Sequence, residues 1–287
     1  MNTYRWEIRK LLAQRRTYLG LVAAALIPIG FAVGIALSPA PKPPPQGQPI
    51  DPDVYISLAY NTSGLVLTLI ALFFANLIFI PLLCALVAGD IVAAEDSGQT
   101  LKTMLTRSIS RWQLLRAKML ATATYVIVLM LCFALSGTVT GILARGTSPV
   151  PLGGDPLGDA GFDLGVHHIP AGSMLLRLAI GVGTYTVPLL AVSAWGFFFS
   201  TVTRNSAASV VAMLVFSFAN QIIFFLPSVP KSITRWLLTD QFDAWEGVLG
   251  TTVDTDAIWR ALVISALFAM PPLLASAWWF QRRDVLV

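Results

Sequence analysis

Gly89–Lys118, GDIVAAEDSGQTLKTMLTRSISRWQLLRAK, decides how the rest of the chain is read. It is a polar stretch of 30 residues carrying eight charges: Asp90, Glu95, Asp96, Lys102, Arg107, Arg111, Arg116 and Lys118. On both sides lie apolar runs long enough to cross a bilayer, which takes about 20 residues in a helix. Within it, Leu101, Met104, Leu105, Leu114 and Leu115 form two short apolar faces, separated by residues 107–110. That pattern predicts two short helices with a turn between them. Such an element lies at the membrane surface and presents a shaped face to the aqueous phase.

The composition supports a membrane setting for the flanks. The 287 residues are 56% hydrophobic and 12% charged, with a mean hydropathy of +0.73. A soluble domain carries about 25% charged residues, so a chain with half that share is read as membrane-embedded. Cys84 and Cys132 both fall in apolar runs, which argues for packing residues and against a disulfide framework.

Outward toward the N-terminus, residues 1–17 read as an amphipathic interfacial helix. Tyr4, Trp6, Ile8, Leu11 and Leu12 are available to the headgroup layer, and Arg5, Arg9, Lys10, Arg15 and Arg16 to the phosphates. An equally good and compatible reading is a positive flank that orients the next helix. The apolar run after it is longer than a signal-peptide core and lacks a processing site, so it is expected to be retained. Residues 18–287 then form one transmembrane domain of six spans, at about 18–37, 65–88, 119–143, 175–199, 207–226 and 257–280. Prolines at 39, 41, 43, 44, 45, 49 and 52 make a stiff extended spacer between the first two spans. Asn76 and Pro81 interrupt the second span. His167 and His168 lie near Asp155, Asp159 and Asp163, but adjacent histidines point apart and no ligand spacing repeats, so no metal site is read there. Arg177 is placed to snorkel out of the fourth span.

Charge sets the orientation. Thirteen of the 19 basic residues fall before the first span, in 89–118, at Arg204 and in the tail; six fall on the other side. The positive-inside rule puts both termini and 89–118 in the cytoplasm of a cell whose plasma membrane the chain crosses. The fold class expected is all-α integral membrane, six transmembrane helices with an interfacial helix in front.

The chemistry is sparse. No G-x-x-x-x-G-K-[ST] phosphate loop, H-E-x-x-H or G-x-S-x-G occurs. The spans carry no cluster of carboxylates for a proton relay. No catalytic site, cofactor or metal is therefore assigned to this chain, and nothing points to nucleic acid. What remains is a membrane body energised or regulated from outside, with one elaborated aqueous face.

That face carries a resemblance. Glu95, Gly98, Thr100-Leu101, Leu105, Arg107, Arg111 and Lys118 occur in the order seen in the first cytoplasmic loop of ABC-2 type transporter permeases. The basic N-terminal helix with Arg5, Trp6, Arg9 and Lys10, the six spans and the Arg282-Arg283-Asp284 ending are similar to that family as well. One departure is Ser108-Ile109, where the family usually has a proline before the serine-arginine pair. The resemblance implies two six-span subunits, a homodimer or related heterodimer, clasping separate ATP-binding cassette subunits that hold ATP and Mg. It also implies that 89–118 is the coupling element, with Glu95, Gly98, Thr100, Leu101, Leu105, Arg107 and Arg111 against the ATP-binding partner, and that a lipid-like or amphiphilic substrate is exported. The alternative is a non-transporting anchor or assembly subunit of a larger complex.

Overall fold

The computed structural model describes residues 2–38, 63–75, 79–98, 110–152, 167–226, 228–248 and 253–282. Thr100, Leu101, Leu105 and Arg107 lie outside the described residues, as does the proline-rich spacer. Apart from one short ribbon, the described elements are helical.

Helix α1 (Asn2–Leu12) is followed by α2 (Arg15–Leu37), which is long and apolar enough to span a membrane. The second expected span is not one continuous helix. A 3-10 turn at Gly64–Val66 leads into α3 (Leu67–Ala75), and α4 (Phe79–Ala88) follows at a bend of 70°. The break falls at 76–78, where the sequence has Asn76. Pro81 sits in the first turn of α4, where a missing N–H costs the helix nothing. The bent pair still passes from one face of the bundle to the other. At one end the Gly64 N–H donates to the Gly146 carbonyl at 3.2 Å; beyond the other end, Asp90 pairs with Arg16 at the start of α2. Counted as one broken span, it joins the five long helices to make up to six crossings.

After α5 (Ala93–Ser97) comes α6 (Arg111–Arg145), 35 residues long. Here the expected pair of short helices needs correction. Residues 111–118 are the first turns of α6, not a separate surface helix. Ser110 and Gln113 form a reciprocal capping box, Gln113 N–H to Ser110 Oγ at 3.2 Å and Ser110 N–H to Gln113 Oε1 at 3.4 Å. Nothing between Arg111 and Arg145 breaks the helix, so it runs about 52 Å at 1.5 Å per residue. That exceeds the hydrocarbon thickness of about 30 Å. The surplus is the polar start.

A two-stranded ribbon pairs Val150 with Ile169 and Leu152 with His167, and then α7 (Ala171–Thr203), α8 (Ser206–Phe225) and α11 (Thr255–Arg282) complete the bundle. Half of the most apolar window of α7 is buried, against 22% for α2 and 17% for α8, so α7 is the central post. The tightest seam joins α6 to the 3-10 turn before α3. A Cβ on Gly64 would sit 1.8 Å from the Gly141 carbonyl oxygen, and one on Gly141 1.9 Å from the Gly64 oxygen. No side chain fits between those backbones.

On the face away from α1, short helices α9 (Lys231–Thr234) and α10 (Leu238–Phe242) and a 3-10 turn at Asp243–Val248 fold back over α7 as a cap. Trp245 is buried in it, Phe242 packs 5.1 Å from Tyr185, and Arg177 donates to the Val248 carbonyl at 2.9 Å. Arg177 is thus a structural strut of the cap, more than a snorkelling side chain.

Candidate functional site

The described ends of the basic segments meet on one face. Helix α1 lies along the start of α6, where the hydroxyls of Tyr4 and Thr124 are 2.8 Å apart. Its Leu11 is buried while Arg5, Trp6 and Arg9 are exposed, as the amphipathic pattern requires. Glu7 also points inward and is 1% exposed. A carboxylate buried at that level needs a partner, and α6 supplies Lys118, itself fully buried.

Lys118 is the centre of the site. Its Nζ lies 3.1 Å from Glu7 Oε2, 2.6 Å from Glu95 Oε1 and 3.1 Å from the Ile91 carbonyl oxygen, which accounts for three donor directions of the ammonium. Lys10 pairs with the same Glu95 oxygen from the rim. One turn away, Asp90 pairs with Arg16 and accepts from the Ser206 hydroxyl at the start of α8. Three carboxylates thus face three cations across α1, α2, the α4–α5 corner and α6. Burial pushes the Glu7 carboxyl above its ordinary range, the Lys118 ammonium pulls it back, and the nearby Glu95 pushes it up again.

A second fixture holds the α4–α5 corner. The Ser200 hydroxyl, buried on α7, accepts from the backbone N–H groups of Val92 and Ala93, both at 3.0 Å. It meets the orphan donors at the start of α5 that no side chain of α5's own flank meets. The root of the 89–118 segment is therefore tied to five helices, α1, α2, α6, α7 and α8, before the segment leaves the described residues.

The residues picked out from sequence separate here. Glu95 is 4% exposed and committed to Lys118 and Lys10 within the chain. Gly98 ends α5 with its N–H on the Ala94 carbonyl at 3.1 Å and a φ of −81°, a backbone that any residue adopts. Arg111 donates to the Gln281 carbonyl at 3.0 Å and so ties the start of α6 to the end of α11. Arg5, Trp6 and Arg9 line the outer side of α1, and Lys10 bridges inward. Asp90, Arg16, Glu7, Ser200 and Ser206 were not picked out as site residues. Glu7 had one signal, a lone acid among five basic residues in an amphipathic helix. The two serines had none.

A different charged cluster lies half-buried in the cap on the opposite face. Asp240 lies 3.7 Å from Arg260, but Asp243 and Glu246 have no cation of their own among the described residues. Burial first, then the neighbouring Asp240, pushes the Asp243 carboxyl up to about 7. Burial, with Asp243 and Asp240, pushes Glu246 up to about 8.

Residues 53–286 match the model of a family described as a protein of unknown function, DUF2705. The chain belongs to this family. The matched region contains Asp90, Glu95, Lys118, Ser200 and Ser206, whereas Glu7, Lys10 and Arg16 precede it. The chain is also 24% identical over 201 residues to the uncharacterized protein YhcI of Bacillus subtilis (strain 168). That alignment takes in 70% of this chain and 63% of YhcI, so the chain spans less than two thirds of that relative's length. The family match and the five or six crossings together describe a multi-pass membrane protein of a kind compatible with transport.

Proposed function

We propose that this chain is the membrane subunit of an ATP-driven exporter of the ABC-2 type. Both termini and the 89–118 segment lie in the cytoplasm at the plasma membrane, and a separate ATP-binding cassette subunit carrying ATP and Mg docks on that segment. The exporter contains two permease copies and moves a lipid-like or amphiphilic substrate. The single observation that supports this reading most is the anchoring of the segment's root. Asp90, Glu95 and Lys118 fix it to α1, α2, α6 and α8, and Ser200 fixes it to α7. A push on a segment held at so many points moves helices as rigid bodies and is not absorbed as loop motion. In this reading Glu95 acts as the segment's internal fastening, while Gly98, Thr100, Leu101, Leu105, Arg107 and Arg111 face the partner. The arginines set register and partner choice through directional bonds to carboxylates.

The test is the double variant Arg107→Glu, Arg111→Glu. It is expected to insert with the parental orientation, because residues 1–17 and 281–287 keep seven basic residues. It is also expected to lose most of the ATP-binding subunit that co-purifies with the parental chain. Orientation is read by an impermeant thiol reagent on single cysteines at Gln48 and Thr100 in intact cells, with reaction expected only at Gln48. Parental co-purification by a correctly inserted double variant removes the docking assignment. Labelling at Thr100 removes the orientation.

A further inference from the structure

An apolar cleft of about 450 Å³ lies between α6, α7 and α11. Small residues make the space: Ala123 on α6, Ala191 and Ala194 on α7, Ala266 and Ala269 on α11. Leu120 stands at its side and is 54% exposed, so the cleft opens laterally to the surrounding lipid. On α11 the wall runs from Leu262 to Leu273, about 16 Å at 1.5 Å per residue, or roughly half the hydrocarbon layer. On α6 it begins at Met119, next to Lys118. The cleft therefore starts near the middle of the bilayer and runs toward the face that carries the ionic cluster.

Its walls offer a polar ligand a single group, the buried Ser265 hydroxyl, which has no hydrogen-bond partner among the described residues. The Thr122 hydroxyl donates to the Lys118 carbonyl at 3.0 Å and the Ser193 hydroxyl to the Leu189 carbonyl at 2.8 Å, so both are spent within their own helices. A polar occupant would exchange its water for that one hydroxyl, whereas a hydrocarbon chain loses nothing against the remaining wall. At the membrane-surface end the character changes. Trp112, Arg116, Leu120 and Ala123 recur at helical spacing and fall on one stripe of α6. Arg116 is exposed, lies 5.8 Å from the Trp112 ring centroid, and pairs with no carboxylate among the described residues. An unspent cation beside an interfacial tryptophan, at the head of a slot shaped for a hydrocarbon chain, is the complement of one molecule.

We propose that this cleft is a binding site for an anionic phospholipid of the leaflet on the ionic-cluster face. One acyl chain lies between α6, α7 and α11, and the phosphate pairs with Arg116 over Trp112. The inference rests on the crossings and the cleft and is independent of the permease reading.

The experiment titrates phosphatidylglycerol, and phosphatidylcholine with the same chains, into the full-length protein in mild detergent and counts bound lipid by native mass spectrometry. The parental chain is expected to prefer phosphatidylglycerol about tenfold, the scale of one charge-assisted hydrogen bond. Arg116→Gln should erase the preference yet keep chain binding. Ala269→Phe should abolish binding of both lipids, and Ala194→Leu fills the cleft from another helix should Ala269→Phe fail to yield monodisperse protein. Glycerol 3-phosphate, which has the headgroup chemistry without the chains, should not compete. The proposal is overturned if the cleft-filling variants bind lipid at the parental level, if Arg116→Gln leaves the preference intact, or if glycerol 3-phosphate competes equally. It is overturned as well if filling the cleft changes the oligomeric state and leaves the lipid count alone, since the cleft would then be a protein interface.

Discussion

Carboxylates are buried at one face of the bundle and half-buried at the other, and the two groups differ in what stands opposite them. At one face Glu7, Asp90 and Glu95 meet Lys10, Arg16 and Lys118. At the other, Asp240 has Arg260, while Asp243 and Glu246 have mainly each other and Asp240. Burial costs the same kind of energy in both places. Opposite charges offset it in the first and make a joint of paired groups. In the second, burial and the neighbouring carboxylates push Asp243 up to about 7 and Glu246 up to about 8, so the cap changes with pH. A rigid fastening belongs at the end that carries the 89–118 segment.

The largest effect expected from breaking this contrast is at Lys118. Lys118→Met leaves Glu7 and Glu95 buried with Lys10 alone at the rim, and removing one member of a buried ionic group costs roughly 3–5 kcal/mol. Denaturant unfolding of the purified chain in detergent should show that loss. A cost below about 1 kcal/mol would mean that water reaches the cluster and that the joint is not dry.

The cap should respond to pH, not to a lost cation. Asp243 and Glu246 bind protons more tightly in the folded cap than in the unfolded chain, where their ordinary values are 3.8 and 4.5. The folded cap therefore has this contribution in full below those values and loses it as pH rises through about 7 and about 8. In a background without Cys84 and Cys132, a cysteine replacing the buried Ala244 should become more reactive at high pH. That gain should be larger than for the same cysteine in the Asp243→Asn, Glu246→Gln double variant, which cancels the ordinary ionisation of the thiol. Equal pH profiles for the two would remove the titrating cap.

The smallest effect is expected at the rim of the joint. The Lys10 side chain is 27% exposed and shares Glu95 with Lys118, so Lys10→Met should cost less than about 1 kcal/mol. A cost equal to that of Lys118→Met would place the centre of the joint at Lys10.

Much of this architecture was legible in the sequence. Apolar length located the five long helices and the bent pair, and the uneven spread of basic residues anticipated which segments meet on one face. Two features were written locally and read otherwise. Ser110-x-x-Gln113 is a helix-start signal followed by 35 residues without a breaker, which makes Leu114 and Leu115 part of α6 and not of a second short helix. Asn76 and Pro81 marked the interruption of the second span, but composition does not tell a weak point from a 70° bend. The ionic joint itself was illegible. Lys118 meets Glu7 across 111 positions and Val92 meets Ser200 across 108, and spacing within a helix carries no information about partners that far away. Glu95 was singled out by motif, and its buried engagement with Lys118 and Lys10 emerged only from the packing.

The central claim is that Lys118 is held in place by charge balance, and a triple variant tests it directly. Lys118→Met with Glu7→Gln and Glu95→Gln removes the cation together with the two carboxylates it serves, and leaves Lys10 free to turn toward water. If the cluster is a dry, balanced joint, the triple variant should recover most of the stability lost by Lys118→Met alone, because neutral amides carry far less desolvation cost than unpaired carboxylates. A triple variant no more stable than Lys118→Met would contradict the account and reduce Lys118 to a packing residue.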